Sequence, residues 1–228
     1  MIFMMTLYTA IGTYKLNTHG LPTVISGDKE YGLSAHELLL WTCLSFRILT
    51  YRELRAEFYE KERELHILGE LDFDHYLNRL IMRRLVVTGK DCTGADALYD
   101  LLGHLHVQSI PNSFFVKAAT FAKLILFRGI SIGKAASVFH TVKLEPMEKR
   151  VLSLVRNQTL STAELILCTE NGKTTLKNAD ELMDCLYSNK ESDCETIVTD
   201  GRVCETRFPV LSAIANLYLK QCITFQIV

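Results

Sequence analysis

The chain has 228 residues, of which 48% are hydrophobic and 22% charged, the composition of an ordinary globular protein with enough apolar residues for one large core or two small ones. Lys+Arg 25 against Asp+Glu 26 give a formal net charge of -1, which excludes a surface that is basic all over, as a general coat for nucleic acid or anionic membrane would need. Seven cysteines, an odd set with no Cys-x-x-Cys pair, argue against a secreted disulfide framework and for reduced thiols packed as small hydrophobes.

Residues 1–15 are apolar but carry no basic stretch before the apolar one and are interrupted by Thr6, Tyr8, Thr9 and Thr13, a poor signal peptide. The expectation is a cytoplasmic protein. Thr23-Val24-Ile25 followed by Gly27-Asp28 suggests a short hairpin within an N-terminal extension over 1–32.

From residue 33 to 110 the pattern predicts a first compact unit. Ser34 and Glu37 have the spacing of a capping box, and Leu38, Leu39, Trp41, Cys43, Leu44 and Phe46 follow as a largely buried helix. Thr50 caps a second helix beginning at Tyr51, with Leu54 and Phe58 at helical spacing. A third helix is predicted over 72–85, because Phe73, Tyr76, Leu77, Leu80, Ile81 and Leu85 step by three and four along one stripe. Val86-Val87-Thr88-Gly89-Lys90 reads as a strand entering a tight turn at Gly89, and Ala97, Leu98, Leu101, Leu102 and Leu105 as a further helix.

Residues 111–143 read as a helical connector, since Phe114, Phe115, Ala118, Phe121, Ala122, Ile125 and Leu126 make a face too apolar for water. The greasy run over 114–127 is broken by Lys117 and Lys123 and is too short to cross a bilayer, so no membrane partner is expected.

The stretch 144–228 repeats the first unit. Glu148 stands 111 residues after Glu37, Ser161-Thr162-Ala163-Glu164-Leu165 stands at the same offset from Thr50-Tyr51-Arg52-Glu53-Leu54, and Val198-Thr199 from Val87-Thr88. Pro146 suits a first helical turn, where its missing N–H is no loss. Leu182, Met183, Leu186 and Tyr187 are expected in the third helix of this copy. Residues 196–203 are expected to form a hairpin, because Asp200-Gly201 suits a type I′ turn.

Helix, helix, helix, hairpin, helix is the order of the bacterial winged-helix transcription regulators, which the chain resembles in a tandem arrangement over about residues 33–228. The resemblance implies a mainly α fold with small β-hairpin wings (α+β), two such units joined by a helical segment. It also implies that the third helix enters the major groove of double-stranded DNA while the wing touches the flanking backbone or minor groove. Carried onto this sequence, the DNA-binding residues are His75, Asn78, Arg79, Met82, Arg83 and Arg84 from the third helix and Lys90 from the wing, with backbone contact from Tyr51 and Arg52.

The charges fit that reading, since four Lys/Arg and no acid lie between His75 and Lys90, and phosphates demand cations. The stretch from Asp180 to Asp200 holds seven acids and one lysine and would repel a polyanion. The expected function is therefore a sequence-specific, non-catalytic DNA-binding regulator acting as a homodimer, the second unit serving dimerisation or sensing of a small-molecule or protein effector. The rival is a non-catalytic tandem winged-helix module that docks proteins in a larger complex.

No cofactor or metal is expected. Residues 129–135 mimic a phosphate loop but are one residue short and have Ala135 where a metal-holding hydroxyl belongs. His104-x-His106 lacks a third ligand at useful spacing, and Cys168, Cys185, Cys194 and Cys204 fit no zinc pattern.

Overall fold

A computed structural model describes residues 4–16, 22–66, 71–110, 143–187 and 193–227. The expected connector over 111–143, the phosphate-loop mimic and the greasy run over 114–127 therefore lie, apart from Lys143, outside the described residues. In chain order the elements are β1 (Met5–Ala10), β2 (Thr13–Leu16), β3 (Pro22–Ser26), β4 (Lys29–Gly32), α1 (Ala35–Leu44), β5 (Leu49–Thr50), α2 (Tyr51–Glu64), α3 (Phe73–Met82), β6 (Val86–Asp91), α4 (Gly94–Leu102) and β7 (His106–Ser109). There follow α5 (Pro146–Leu154), β8 (Leu160–Ser161), α6 (Thr162–Glu170), α7 (Ala179–Leu186), α8 (Cys194–Val203), α9 (Arg207–Leu219) and β9 (Ile223–Gln226). The fold is α+β, with helices packed on small antiparallel sheets of order β5-β1-β6, β2-β3-β4 and β8-β7-β9.

The helix starts follow the sequence closely. Ser34 with Glu37, Thr50 with Glu53, Glu145 with Glu148, and Ser161 with Glu164 each form a reciprocal capping box that occupies N–H groups left open at a helix start. The third helix keeps its predicted stripe, with Phe73, Tyr76, Leu77 and Leu80 buried, but ends at Met82 rather than Leu85. It stops because Arg84 takes a left-handed conformation (φ 57) and the Leu85 N–H bonds back to the Leu80 carbonyl at 2.9 Å.

The two halves share a strand arrangement, though not at the single offset expected. β1 lies between β5 and β6 as β7 lies between β8 and β9, and the pairs Tyr8↔Leu49 and Ala10↔Val86 have their counterparts in Val107↔Leu160 and Ser109↔Ile223. The Ile11 N–H bonds the Leu85 carbonyl, and the Ile110 N–H bonds the Cys222 carbonyl, both at 2.9 Å. Gln221 repeats the left-handed turn of Arg84 (φ 56), and the Cys222 N–H repeats the bond of Leu85 by reaching the Leu217 carbonyl. The counterpart of α3 is therefore α9, and that of β6 is β9. α7 and α8 are additional elements of the second copy, so the expected match of Val87-Thr88 with Val198-Thr199 does not hold.

Both expected hairpin wings are replaced by other structure. β6 runs straight through Gly89, which pairs with Leu7 and lies under α4. A Cβ there would stand 2.2 Å from the Leu101 nitrogen and 2.4 Å from the Ala97 carbonyl oxygen, so the glycine serves close approach and not a turn. The partner of β6 is β1, which comes from the segment expected to be an extension. Thr196 to Val203 lie in α8, capped by Asp193, whose carboxylate accepts from the Thr196 N–H at 2.8 Å. Gly201 sits on that helix where it meets Tyr99, whose hydroxyl would stand 2.8 Å from an added Cβ. Asp-Gly favours a hairpin turn only when a partner strand is at hand, and β9 pairs with β7 instead.

Two cores result. Leu40, Leu44, Leu54, Phe58, Phe73, Leu80 and Val24 belong to the first, and Leu102, Val107, Leu154, Leu160, Leu217 and Phe225 to the second. α4, although it follows the first copy in sequence, contributes Tyr99, Leu101 and Leu102 to the second core. The copies are also pinned by Arg202 on Asp91 (2.6 Å) and Arg207 on Asp96 (2.9 Å).

Candidate functional site

α3 shows the outward face predicted for it, with one change in what the face offers. His75, Asn78, Arg79, Met82 and Arg84 are exposed, Met82 at 83%. Arg83 is not an outward residue. Its guanidinium reaches Glu37 Oε1 at 3.2 Å and the Gly32 carbonyl at 2.8 Å, and lies 5.4 Å from the centre of the Tyr31 ring. Arg79 also turns to Glu37, with Nε 3.2 Å from the same oxygen, while half its side chain stays in water. Glu37 is 1% exposed, so both arginines compensate a buried carboxylate before they can serve a ligand. The stripe rule placed Arg83 outside because it continued the helix to Leu85, whereas Arg83 is the C-cap.

Lys90 is exposed on β6, not at the tip of a wing. Arg52 is exposed at the start of α2. The Tyr51 hydroxyl donates to Asp74 at 2.8 Å, and that hydrogen bond to a carboxylate, with some burial, pushes its pKa up. Asp72 and Asp74 share the exposed start of α3 with His75, so the face mixes signs. Its counterpart α9 exposes Phe208 and Leu219, at 61% and 53%, while Lys220 turns inward to Glu148. Asp180, Asp184, Asp193, Glu195 and Asp200, exposed on or at the start of the additional helices α7 and α8, supply the acidic surface of the second copy.

A second site was not anticipated. A cleft of about 580 Å³ opens where the copies meet, between α1, the β1–β2 turn and β2, and α9 with β9. Trp41, Leu38, Thr42 and Ser45 come from α1 and its cap, Ala10, Gly12, Thr13 and Tyr14 from the turn and β2, and Phe46, Tyr218 and Thr224 complete it. Among the described residues, none that lines it is charged. Trp41, the single tryptophan, is fixed by its Nε1–H, which donates to the Ile11 carbonyl at 3.0 Å. Gly12 makes the sharp exit from β1 with φ 95, and a Cβ there would stand 2.5 Å from the Ile25 carbonyl oxygen. Phe46, also left-handed (φ 56), packs its ring 5.3 Å from that of Tyr218. The Tyr218 hydroxyl donates to the Ala10 carbonyl at 3.2 Å, a direct bond between the copies. Burial, slightly offset by its hydrogen bonds, raises the pKa of that phenol.

The signal in the sequence was weak. Trp41 and Leu38 read as helix core, and nothing local tells that α9 and β9 stop short of covering them. Among the described residues no helix is long and apolar enough to cross a membrane. Comparison with protein-family models, with curated proteins and with solved structures found no match, so the chemistry of these two surfaces carries the functional reading.

Proposed function

We propose that the chain is a non-catalytic binding protein made of two winged-helix-like units, with its ligand site in the cleft between them. The observation that carries this reading is the cleft itself: aromatic walls contributed by both copies around a volume suited to a drug-sized molecule. Among the described residues its lining holds no Asp, Glu, His, Lys or Cys, so none of them supplies the base that would activate the Ser45 or threonine hydroxyls. The winged-helix likeness is supported by three helices and a three-stranded sheet in the first copy, with one departure. The central strand arrives before the first helix instead of returning from a wing.

The test is a screen of aromatic fragments read by Trp41 emission and by ligand NMR. Saturable hits that perturb Trp41 and are lost in Thr42→Tyr, which fills the cleft from α1, support the reading. Hits that bind without touching Trp41 refute it.

A second reading, double-stranded DNA binding by a homodimer, is favoured by exposed His75, Asn78, Arg84 and Lys90 beside a half-exposed Arg79. It predicts retention on heparin with a steep salt dependence. Arg84→Ala and Lys90→Ala should each lower the salt slope by about one, because each removes a cation that neutralises one phosphate. Salt-independent behaviour of the intact chain would remove this reading.

A further inference from the structure

We infer that the cleft takes an uncharged aromatic molecule bearing one or two oxygen functions, held by both copies at once. The inference rests on the proposed binding role of the cleft and adds the chemical class of its occupant.

The class follows from what the lining offers and what it lacks. Flat apolar surface comes from Trp41, Phe46, Tyr14 and Tyr218, and such rings pack best on another ring, offset or edge-on. Apart from the Trp41 N–H, which is spent on the Ile11 carbonyl, the polar side chains of the described lining are all hydroxyls. Two of these are spoken for, Tyr218 on the Ala10 carbonyl and Thr42 on the Leu38 carbonyl at 2.7 Å, although each oxygen can still accept. Thr13 and Tyr14 stand exposed on the β2 side, where their hydroxyls can donate to a carbonyl or phenol oxygen. A carboxylate, phosphate or ammonium placed there would give up water without meeting an opposite charge among the described lining residues, a cost that hydroxyls alone do not offset.

The two-copy construction adds a consequence. Tyr218 and Thr224 come from α9 and β9, the remaining walls from β1, β2 and α1 with its C-terminal turn. A molecule in the cleft therefore touches both copies, beside the bond from Tyr218 to Ala10, and binding must stabilise their junction against separation.

The experiment titrates the intact chain with acetylnaphthalene, which is aromatic and carries one carbonyl, and with naphthoate, its similarly sized anion. Trp41 emission and the thermal transition are read together. Acetylnaphthalene is expected to saturate the Trp41 response and raise Tm, with naphthoate and the Thr42→Tyr variant each weaker by about tenfold or more. Met82→Ala, exposed on α3 and not among the cleft's lining residues, should bind as the parent does. Equal Trp41 responses to both probes would overturn the chemical class while leaving the cleft as a binding site. No Trp41 response to either probe would overturn the cleft reading as well. A Trp41 shift that grows with protein concentration and blocks both probes would mean that a second copy of the chain covers the cleft, which also overturns the inference.

Discussion

The Lys220 ammonium donates to both carboxylate oxygens of Glu148 at 2.7 Å, and Arg83 makes the matching contact with Glu37 in the first copy. Each glutamate is 1% exposed, is the N3 residue of its capping box, and faces a cation just before a left-handed turn. The same device thus ties the first helix of each copy to the helix that precedes its last strand. Removing one partner leaves a buried charge unmatched, which is where the cost lies.

Lys220→Met should therefore destabilise the chain by about 3 kcal/mol, read by chemical denaturation at neutral pH. The Glu148 side tests the same pair by pH. Burial raises its pKa, but the Lys220 hydrogen bond and charge and the Glu145 N–H together hold it below the ordinary 4.5. A depressed carboxylate contributes stability above its unfolded value, and that contribution is lost as pH falls through the folded one. The stability gap between the parent and Glu148→Gln should be full at neutral pH and close below about pH 4.5. A gap that widens in acid would contradict the pairing.

Arg79→Ala with Arg83→Ala would be the natural probe of DNA reading if both arginines stood in water. With Glu37 buried between them, the double variant should instead lower stability by about 2–4 kcal/mol, somewhat discounted because Arg79 is half exposed. A thermal transition equal to the parent's would show that Glu37 does not depend on them. Arg84→Ala and Lys90→Ala are the cleaner probes, since their side chains stand exposed.

Gly89→Ala should cost about 3 kcal/mol, because the added methyl meets backbone atoms of α4 that cannot rotate away. Denaturant titration checks it. A neutral substitution would mean that α4 stands farther from β6 than the 2.2 Å approach to Leu101 implies.

What the sequence made legible was local. The capping box of Ser34 and Glu37, the Thr50 cap and the stripe from Phe73 to Leu80 are set by residues within a few positions of one another, and they stand as read; the boxes at Glu148 and Glu164 were equally local but went unread. Strand pairing was not legible, because β1 meets β6 across most of the first copy and β7 meets β9 across most of the second. Without those pairings Gly89 looked like a turn, and Asp200-Gly201 looked like a hairpin although Asp193 caps it into a helix. The cleft was illegible for the same reason, since Trp41 and Tyr218 are brought together only by the packing of one copy on the other.

Tyr218→Phe tests that packing with the smallest available change. The ring stays in place against Phe225 at 4.4 Å and Phe46 at 5.3 Å, and only the hydroxyl that reaches Ala10 and lies 3.2 Å from Thr9 is removed. A buried carbonyl and a threonine oxygen then lose a partner between the copies, a cost of about 1–2 kcal/mol. Local helix structure should persist, because the α9 backbone bonds do not involve the phenol. The expected outcome is a lower Tm with faster amide exchange concentrated in β1 and β9, the strands bordering the junction, and little change in α2. Uniform acceleration through both copies would mean that they unfold as one body in which this bond has no special place. An unchanged Tm would mean that the contact between Tyr218 and Ala10 contributes nothing to joining them.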